Sequence, residues 1–432
     1  MFTADCFQVN EEGHLTIGGC DTVALAKEYG TPAYVMDETT IRQACRLYQK
    51  SFQDNYDGHG MAFYASKALN CKELCRIVAE EGLGLDVVSG GELYTALKAG
   101  FDPKKIHFHG NNKTLDEMKM ALDSGVGVIV MDHLAEMSTL DRLAAEKGVT
   151  VDVSMRIKPG IDAHTHSFIR TGQIDSKFGF ALETGEALEA AKAAVASRNL
   201  NLKEIHCHIG SQIFDMDPFI LAAEVMMGFR KDIKEATGVT VECMNLGGGF
   251  GIHYTDHDHP QPYNAYMSAV AKAVKAKAEE YGMPVPFICL EPGRSIVGEA
   301  GITLYTVGGV KEIPNIRTYV SIDGGMTDNP RYALYKSSYQ AVIANKAGKP
   351  AEKKVTIAGK CCESGDLIQE DTMIQEAQPG DILAVFSTGA YNYSMASNYN
   401  RIPKPPIVMV KDGKARVIVK RETYDDLIQN DL

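Results

Sequence analysis

Several things are missing from this 432-residue sequence, and each absence removes a class of function. No apolar stretch reaches the roughly 18 residues that a membrane-spanning helix needs. The opening MFTADCFQVNEEGHL lacks the basic-then-apolar order of a signal peptide, so a soluble, cytoplasmic protein is expected. No basic run is long enough to follow a phosphate backbone, and the net charge is −12, which makes nucleic acid an unexpected partner. The 10 cysteines show no CxxC pair and no regular spacing. In a chain this long they read as reduced thiols, most of them small core residues, rather than as a disulfide framework. Internal repeats and low-complexity segments are also absent.

What is present is a rhythm. The chain exceeds the roughly 250–300 residues that one core supports, so two domains are expected. Past Glu38, short apolar runs alternate with helical stretches: 61–65, 84–88, 106–108, 126–131, 151–157, 204–207, 241–246 and 286–290. Eight such runs separated by helices are what a (β/α)8 TIM-like barrel requires, with a doubly wound sheet as the alternative. After about Ile296 the sequence becomes strand-rich, and PPIVMVKDGKARVIVKRE encloses Asp412-Gly413, a strong hairpin signal. The expected organisation is an α/β chain: a barrel over 37–281, and a mainly antiparallel β domain over 282–432 joined by residues 1–36.

Polar residues at the ends of the apolar runs carry the chemistry. Lys67 follows the run 61–65, at the strand edge where α/β folds bind ligands; the bland alternative is a solvated lysine. Asp86 sits inside an apolar run, where an unpaired carboxylate is costly, although a structural cap would also explain it. His206 and His208 alternate on one strand before Gly210-Ser211; two histidines fall short of a metal site, and none is expected. His208, at the strand's end, could lay its ring against an aromatic ligand. Gly247, Gly248 and Gly249 strip a strand-to-loop turn of side chains, letting backbone N–H groups approach an anion, or simply making a tight turn. Glu291 emerges from an apolar run with Arg294 on the Pro-Gly turn behind it; the two are either a structural ion pair or a ring-nitrogen partner beside an anion site.

Taken together, YASKA (64–68), HIGSQ (208–212), GGGFG (247–251), EPGR (291–294) and CESGD (362–366) resemble the alanine racemase-like, fold type III class of pyridoxal-phosphate decarboxylases, and within it the branch acting on meso-diaminopimelate. The likeness runs from near residue 30 to near 420. It implies a barrel that carries pyridoxal 5′-phosphate, a β domain that contributes to the substrate site, and a homodimer with shared active sites. It makes Lys67 the Schiff-base lysine, His208 the ring stacked on the pyridine and Glu291 the partner of the ring nitrogen. Gly248, Gly249, Ser211 and the loop Glu291, Pro292, Gly293, Arg294 would hold the phosphate, with Asp86 an acid near the cofactor. Arg331 and Tyr335, with Arg294, would bind the substrate's far carboxylate, and Glu363 its distal ammonium. Cys362 would donate a proton, Tyr391 would lie near phosphate and substrate, and the stretch 170–180 would act as a lid. One departure is Tyr332, where the family often has proline.

The implied reaction is decarboxylation of meso-2,6-diaminopimelate to L-lysine and CO2, the last step of lysine biosynthesis. The alternatives are a carboxynorspermidine or other basic amino-acid decarboxylase of the same class, or a pyridoxal-phosphate-binding protein without catalysis.

Overall fold

The computed structural model describes residues 2, 4–161 and 175–432. The chain divides into two compact units. One comprises Cys45–Gly251 and Pro260–Gly293; the other comprises Met1–Ala44, Ile252–His259 and Arg294–Leu432.

The first unit is a closed ring of parallel strands: Gly60–Ala65, Gly84–Val87, Ile106–Phe108, Val128–Met131, Val151–Lys158, Leu200–Cys207, Cys243–Asn245 and Phe287–Leu290. They follow one another in chain order, and the ring closes where Ile288 pairs with Gly60. Closure is what distinguishes this TIM-like barrel from a doubly wound sheet, whose edge strands stay unpaired. The strands are short and mostly buried, as in Val128–Met131, because barrel strands have packed side chains inside and helices outside. The helices obey local rules. Lys72–Glu80 buries Leu74, Cys75, Ile77 and Val78 on one face, and Leu134–Lys147 stops at Gly148 in the left-handed conformation. The eighth strand carries the barrel beyond the boundary expected at 281, because Phe287–Leu290 completes hydrogen bonding on both sides, to Cys243–Asn245 and to Gly60–Ala65.

The second unit is built on a sheet whose strands run, in order, Leu367–Ile374, Lys353–Ala358, Arg317–Ile322, Gly301–Ile313, Ala33–Asp37, Ile407–Lys411 and Lys414–Val419. Most neighbours are antiparallel; Arg317–Ile322 with Lys353–Ala358, and Ala33–Asp37 with Ile407–Lys411, are parallel. The hairpin falls where Asp412-Gly413 places it, both residues having positive φ (50° and 73°) between paired Lys411 and Lys414. Residues 33–37 join this sheet. Ile252–His259, which no local pattern announced, belongs to this unit without adding a strand: Ile252 and Tyr254 are buried among Tyr305, Val320, Ile357 and Leu383.

Among the described residues, no helix is long and apolar enough to cross a membrane.

Candidate active site

At the carboxyl edge of the barrel, the strand Gly60–Ala65 passes into a single 3-10 turn, Ser66–Ala68, which presents Lys67 as an exposed side chain between buried Ser66 and Ala68. Ser66 Oγ donates to Glu92 Oε2 at 3.0 Å, Val88 N–H donates to the same oxygen at 2.7 Å, and Tyr64 Oη donates to the Leu69 carbonyl at 2.9 Å. The lysine's backbone is therefore fixed on both sides while its amine stays accessible. Its charge bears on Asp86, His206 and His208.

Glu291 follows the eighth strand and is buried. His109 Nε2 lies 2.7 Å from its Oε1, Asn245 Nδ2 donates to the same oxygen at 2.7 Å, and His206 Nε2 lies 3.1 Å from Oε2. Burial by itself would raise this carboxyl, but the His109 and His206 rings overrule it and hold Glu291 well below the usual carboxylate range. A carboxylate has about four acceptor positions, so three contacts leave one for a further donor. Asp86, in the strand Gly84–Val87, goes the other way: burial pushes it up to about 7, His109 opposes this and Glu291 reinforces it. Its Oδ1 has no hydrogen-bond partner among the described residues.

The glycine turn lies beside this carboxylate. A Cβ on Gly248 would meet the Glu291 carbonyl oxygen at 2.1 Å; one on Gly249, at φ +111°, would meet the Gly210 carbonyl at 2.6 Å. Gly248 N–H donates to His208 Nδ1 at 3.3 Å, which makes Nδ1 an acceptor and the ring neutral. Burial drives the His208 pKa down in agreement with this. Ser211 is half-buried one residue past Gly210. Pro292 and Gly293 continue from Glu291, and a Cβ on Gly293 would stand 3.0 Å from both Ala65 Cβ and the Ala65 carbonyl oxygen, tighter than ordinary contact.

In the second unit, Arg294 opens the short helix Arg294–Val297, and its guanidinium donates to Tyr254 Oη and lies 4.8 Å from the Tyr391 ring centre. Arg331 opens the helix Arg331–Tyr335 and lies 5.5 Å from the Tyr391 ring and 5.1 Å from the Tyr335 ring. Tyr391, with φ +63°, thus faces both arginines. Arg331 is buried, and its Nε has no hydrogen-bond partner among the described residues. Tyr332 has its own structural reason for standing after Arg331: its ring is buried and its hydroxyl bonds Glu370, which also pairs with Arg317 at 2.8 Å. Cys361 is buried and its thiol pushed up to about 11, chiefly by burial, whereas Cys362 and Glu363 are exposed. Of the stretch 170–180, residues 170–174 lie outside the described residues. In the remainder, Gly179 N–H donates to Asp132 at 2.9 Å and Arg156 covers the Phe178 ring at 4.2 Å.

Residue-by-residue reading missed His109, Asn245 and Arg156 and gave His206 no role. A signal was there: Ile106-His107-Phe108-His109 repeats the alternation of Ile205-His206-Cys207-His208. His107, His109 and Glu291 bring potential ligand atoms within 4.8 Å of one another. The fully buried His107 is pushed down to about 3 by burial and stacks on Phe63 at 3.8 Å.

A side-chain-free turn for an anion, a buried ionised carboxylate with one acceptor position left, and an accessible lysine at the same barrel edge suit pyridoxal phosphate, whose phosphate, ring nitrogen and aldehyde call for those three groups. The fold and site therefore define a pyridoxal-phosphate enzyme. The family model for the pyridoxal-dependent decarboxylase, pyridoxal binding domain, matches residues 38–298, and the chain belongs to that family, with pyridoxal phosphate as its cofactor. The chain is 49% identical over 435 residues to diaminopimelate decarboxylase of Bacillus subtilis, covering 100% of this chain and 98% of the relative. It is likewise 49% identical to the Staphylococcus aureus enzyme of that name, covering 98% of each. Among solved structures, diaminopimelate decarboxylase from M. jannaschii in complex with L-lysine superposes with a TM-score of 0.92 at 36% identity, covering 100% of this chain and 99% of that one.

Proposed function

We propose that this chain decarboxylates meso-2,6-diaminopimelate to L-lysine and CO2, the last step of lysine biosynthesis. The observation that carries the choice of substrate is Arg331: a buried guanidinium with an unsatisfied Nε, braced by Tyr335 and Tyr391, calls for an anionic ligand. Diaminopimelate has a second carboxylate to fill it, and ornithine does not. The relatives from Bacillus subtilis and Staphylococcus aureus support the same reading.

When bound, pyridoxal phosphate supplies an electron sink for the pair left behind as the α-carboxylate departs. The residues supply the rest. Lys67 is the amine that would hold the cofactor through its aldehyde carbon. Glu291, kept ionised by its two histidines, holds the proton on the ring nitrogen. His208, neutral, offers a flat face to the ring, and Asp86 is the acid nearby. Gly248, Gly249, Ser211 and the residues from Glu291 to Arg294 take the phosphate, with Tyr391 beside phosphate and substrate. Arg294, Arg331 and Tyr335 bind the far carboxylate, Glu363 binds the distal ammonium, and Cys362 delivers a proton to the α-carbon. Because Cys362 and Glu363 are exposed, the reading has them act across a homodimer, in the cytoplasm.

The test is an assay of purified protein with pyridoxal phosphate, offering meso-diaminopimelate, L-lysine, L-ornithine and carboxynorspermidine in turn, with CO2 and amine product recorded. CO2 and L-lysine from diaminopimelate alone are expected. Equal turnover of ornithine would overturn the assignment of Arg331.

A further inference from the structure

Asn245 ends the strand Cys243–Asn245 and is wholly buried. Its side chain points two ways at once. Nδ2 donates to Glu291 Oε1 at 2.7 Å and lies 3.4 Å from Glu204 Oε1, while Oδ1 accepts the Gly247 N–H at 3.0 Å. Chemistry fixes this orientation: the Gly247 N–H can only donate, so oxygen must face it, and the amino group is left for the carboxylates. A backbone link runs in parallel, the Glu291 N–H donating to the Gly247 carbonyl at 2.7 Å.

We propose that Asn245 is a positioning residue that ties the carboxylate serving the cofactor's ring nitrogen to the glycine turn serving its phosphate. Both ends of the cofactor are thereby held in register through one planar amide. This rests on Glu291 and the glycine turn having the roles given above. Alanine would leave two groups unpaired, the Gly247 N–H and one acceptor position of Glu291. Aspartate would keep the acceptor for Gly247 but replace the donor with a third carboxyl beside Glu291 and Glu204. Their environment is finely set: Glu291 is faced by Asp86, His107, Arg156, Glu204, His206 and Cys207 on four other strands, and by His109 and His208 just past two of them. Glu204 is pushed up to about 7, chiefly by burial and then by the Glu291 charge.

The experiment compares holoenzyme of wild type, Asn245→Ala, Asn245→Asp and Glu291→Gln. Two quantities are read: the rate of cofactor loss into an excess of carbonyl scavenger, followed by absorbance, and the pH dependence of kcat. Asn245→Ala should lose cofactor roughly tenfold faster or more, the order expected for losing a hydrogen bond to a charged group. Asn245→Asp should retain cofactor better than Asn245→Ala but move the acid limb of kcat to higher pH, which a purely structural role would not do. Thermal melts identify any variant that fails to fold, and Asn245→Asp, close to isosteric, then carries the test. Wild-type retention and an unshifted profile in both Asn245 variants, with Glu291→Gln impaired, would overturn the proposal and leave the role of Glu291 standing. An unimpaired Glu291→Gln would instead remove the reading beneath it.

Discussion

Gly248 and Glu291 meet backbone to backbone, so closely that a Cβ on the glycine would stand 2.1 Å from the glutamate's carbonyl oxygen. The turn proposed for the phosphate and the carboxylate proposed for the ring nitrogen are therefore a single packed unit. Neither can shift alone. Gly248→Ala must push these two strand ends apart, and overpacking of this kind costs about 1–3 kcal/mol. The expected result is at least roughly tenfold weaker pyridoxal phosphate binding in an absorbance titration, with far-UV circular dichroism unchanged. Unaltered cofactor affinity would remove the turn from the phosphate site.

Arg331 should matter for substrate and not for cofactor. Arg331→Met keeps the aliphatic stem against Tyr335 and Tyr391 and removes the charge. For meso-diaminopimelate, kcat/KM should fall roughly a hundredfold, the order expected for a lost charge-assisted pair. The cofactor absorbance should not change. A variant that loses cofactor as well would place Arg331 elsewhere in the machinery.

The exposure of Cys362 and Glu363 makes subunit sharing testable by mixing. If Cys362 serves the partner's Lys67, dissociated and reassociated Lys67→Ala and Cys362→Ala chains recover about a quarter of wild-type activity. Half of the dimers are then mixed, and each of those has one intact site in two. Recovery near zero would mean that both residues serve the same subunit.

Acid stability has a separate origin, at Glu38. This buried carboxylate accepts hydrogen bonds from Arg42 at 2.8 Å, Arg416 at 2.8 Å and Lys411 at 3.0 Å. Burial would raise it, but the Arg416, Arg42 and Lys411 bonds win and bring it down to about 2 from 4.5. A depressed folded-state pKa stabilises fully above the unfolded value and is lost as pH falls through the folded one. The contribution, on the order of 1–3 kcal/mol after discounting for half-exposed partners, should disappear between about pH 4.5 and 2. Glu38→Gln should lower Tm by several degrees at pH 7 and by little at pH 2.5. An equal loss at both would point to packing rather than charge.

Much of this was legible because it is local. Strand periodicity placed every barrel strand to within a few residues, and Asp412-Gly413 marked its hairpin because only residues tolerant of positive φ can occupy that turn. Lys67, Glu291 and the triple glycine stood out because they break apolar runs just where a strand ends. Other features resisted. That Ile252–His259 leaves the barrel's run of sequence to pack Tyr254 near Tyr305 depends on a core assembled from distant strands. That Cys361 is buried and Cys362 exposed depends on how one loop is anchored, by Asp366 accepting the Cys361 N–H at 2.7 Å and Asn400 accepting the Cys362 N–H at 2.8 Å.

The sequence by itself determined the elements, their order and the residue types at each strand end, since these follow from near-neighbour periodicity and turn chemistry. Only the tertiary structure decided which of those ends converge. His206 and Asn245 on two strands, and His109 just past a third, reach Glu291 from between 46 and 182 residues away in the chain, because ring closure and strand register bring them there. Once there, the two histidine rings keep Glu291 ionised against its burial, while burial and then the Glu291 charge push Asp86 up to about 7.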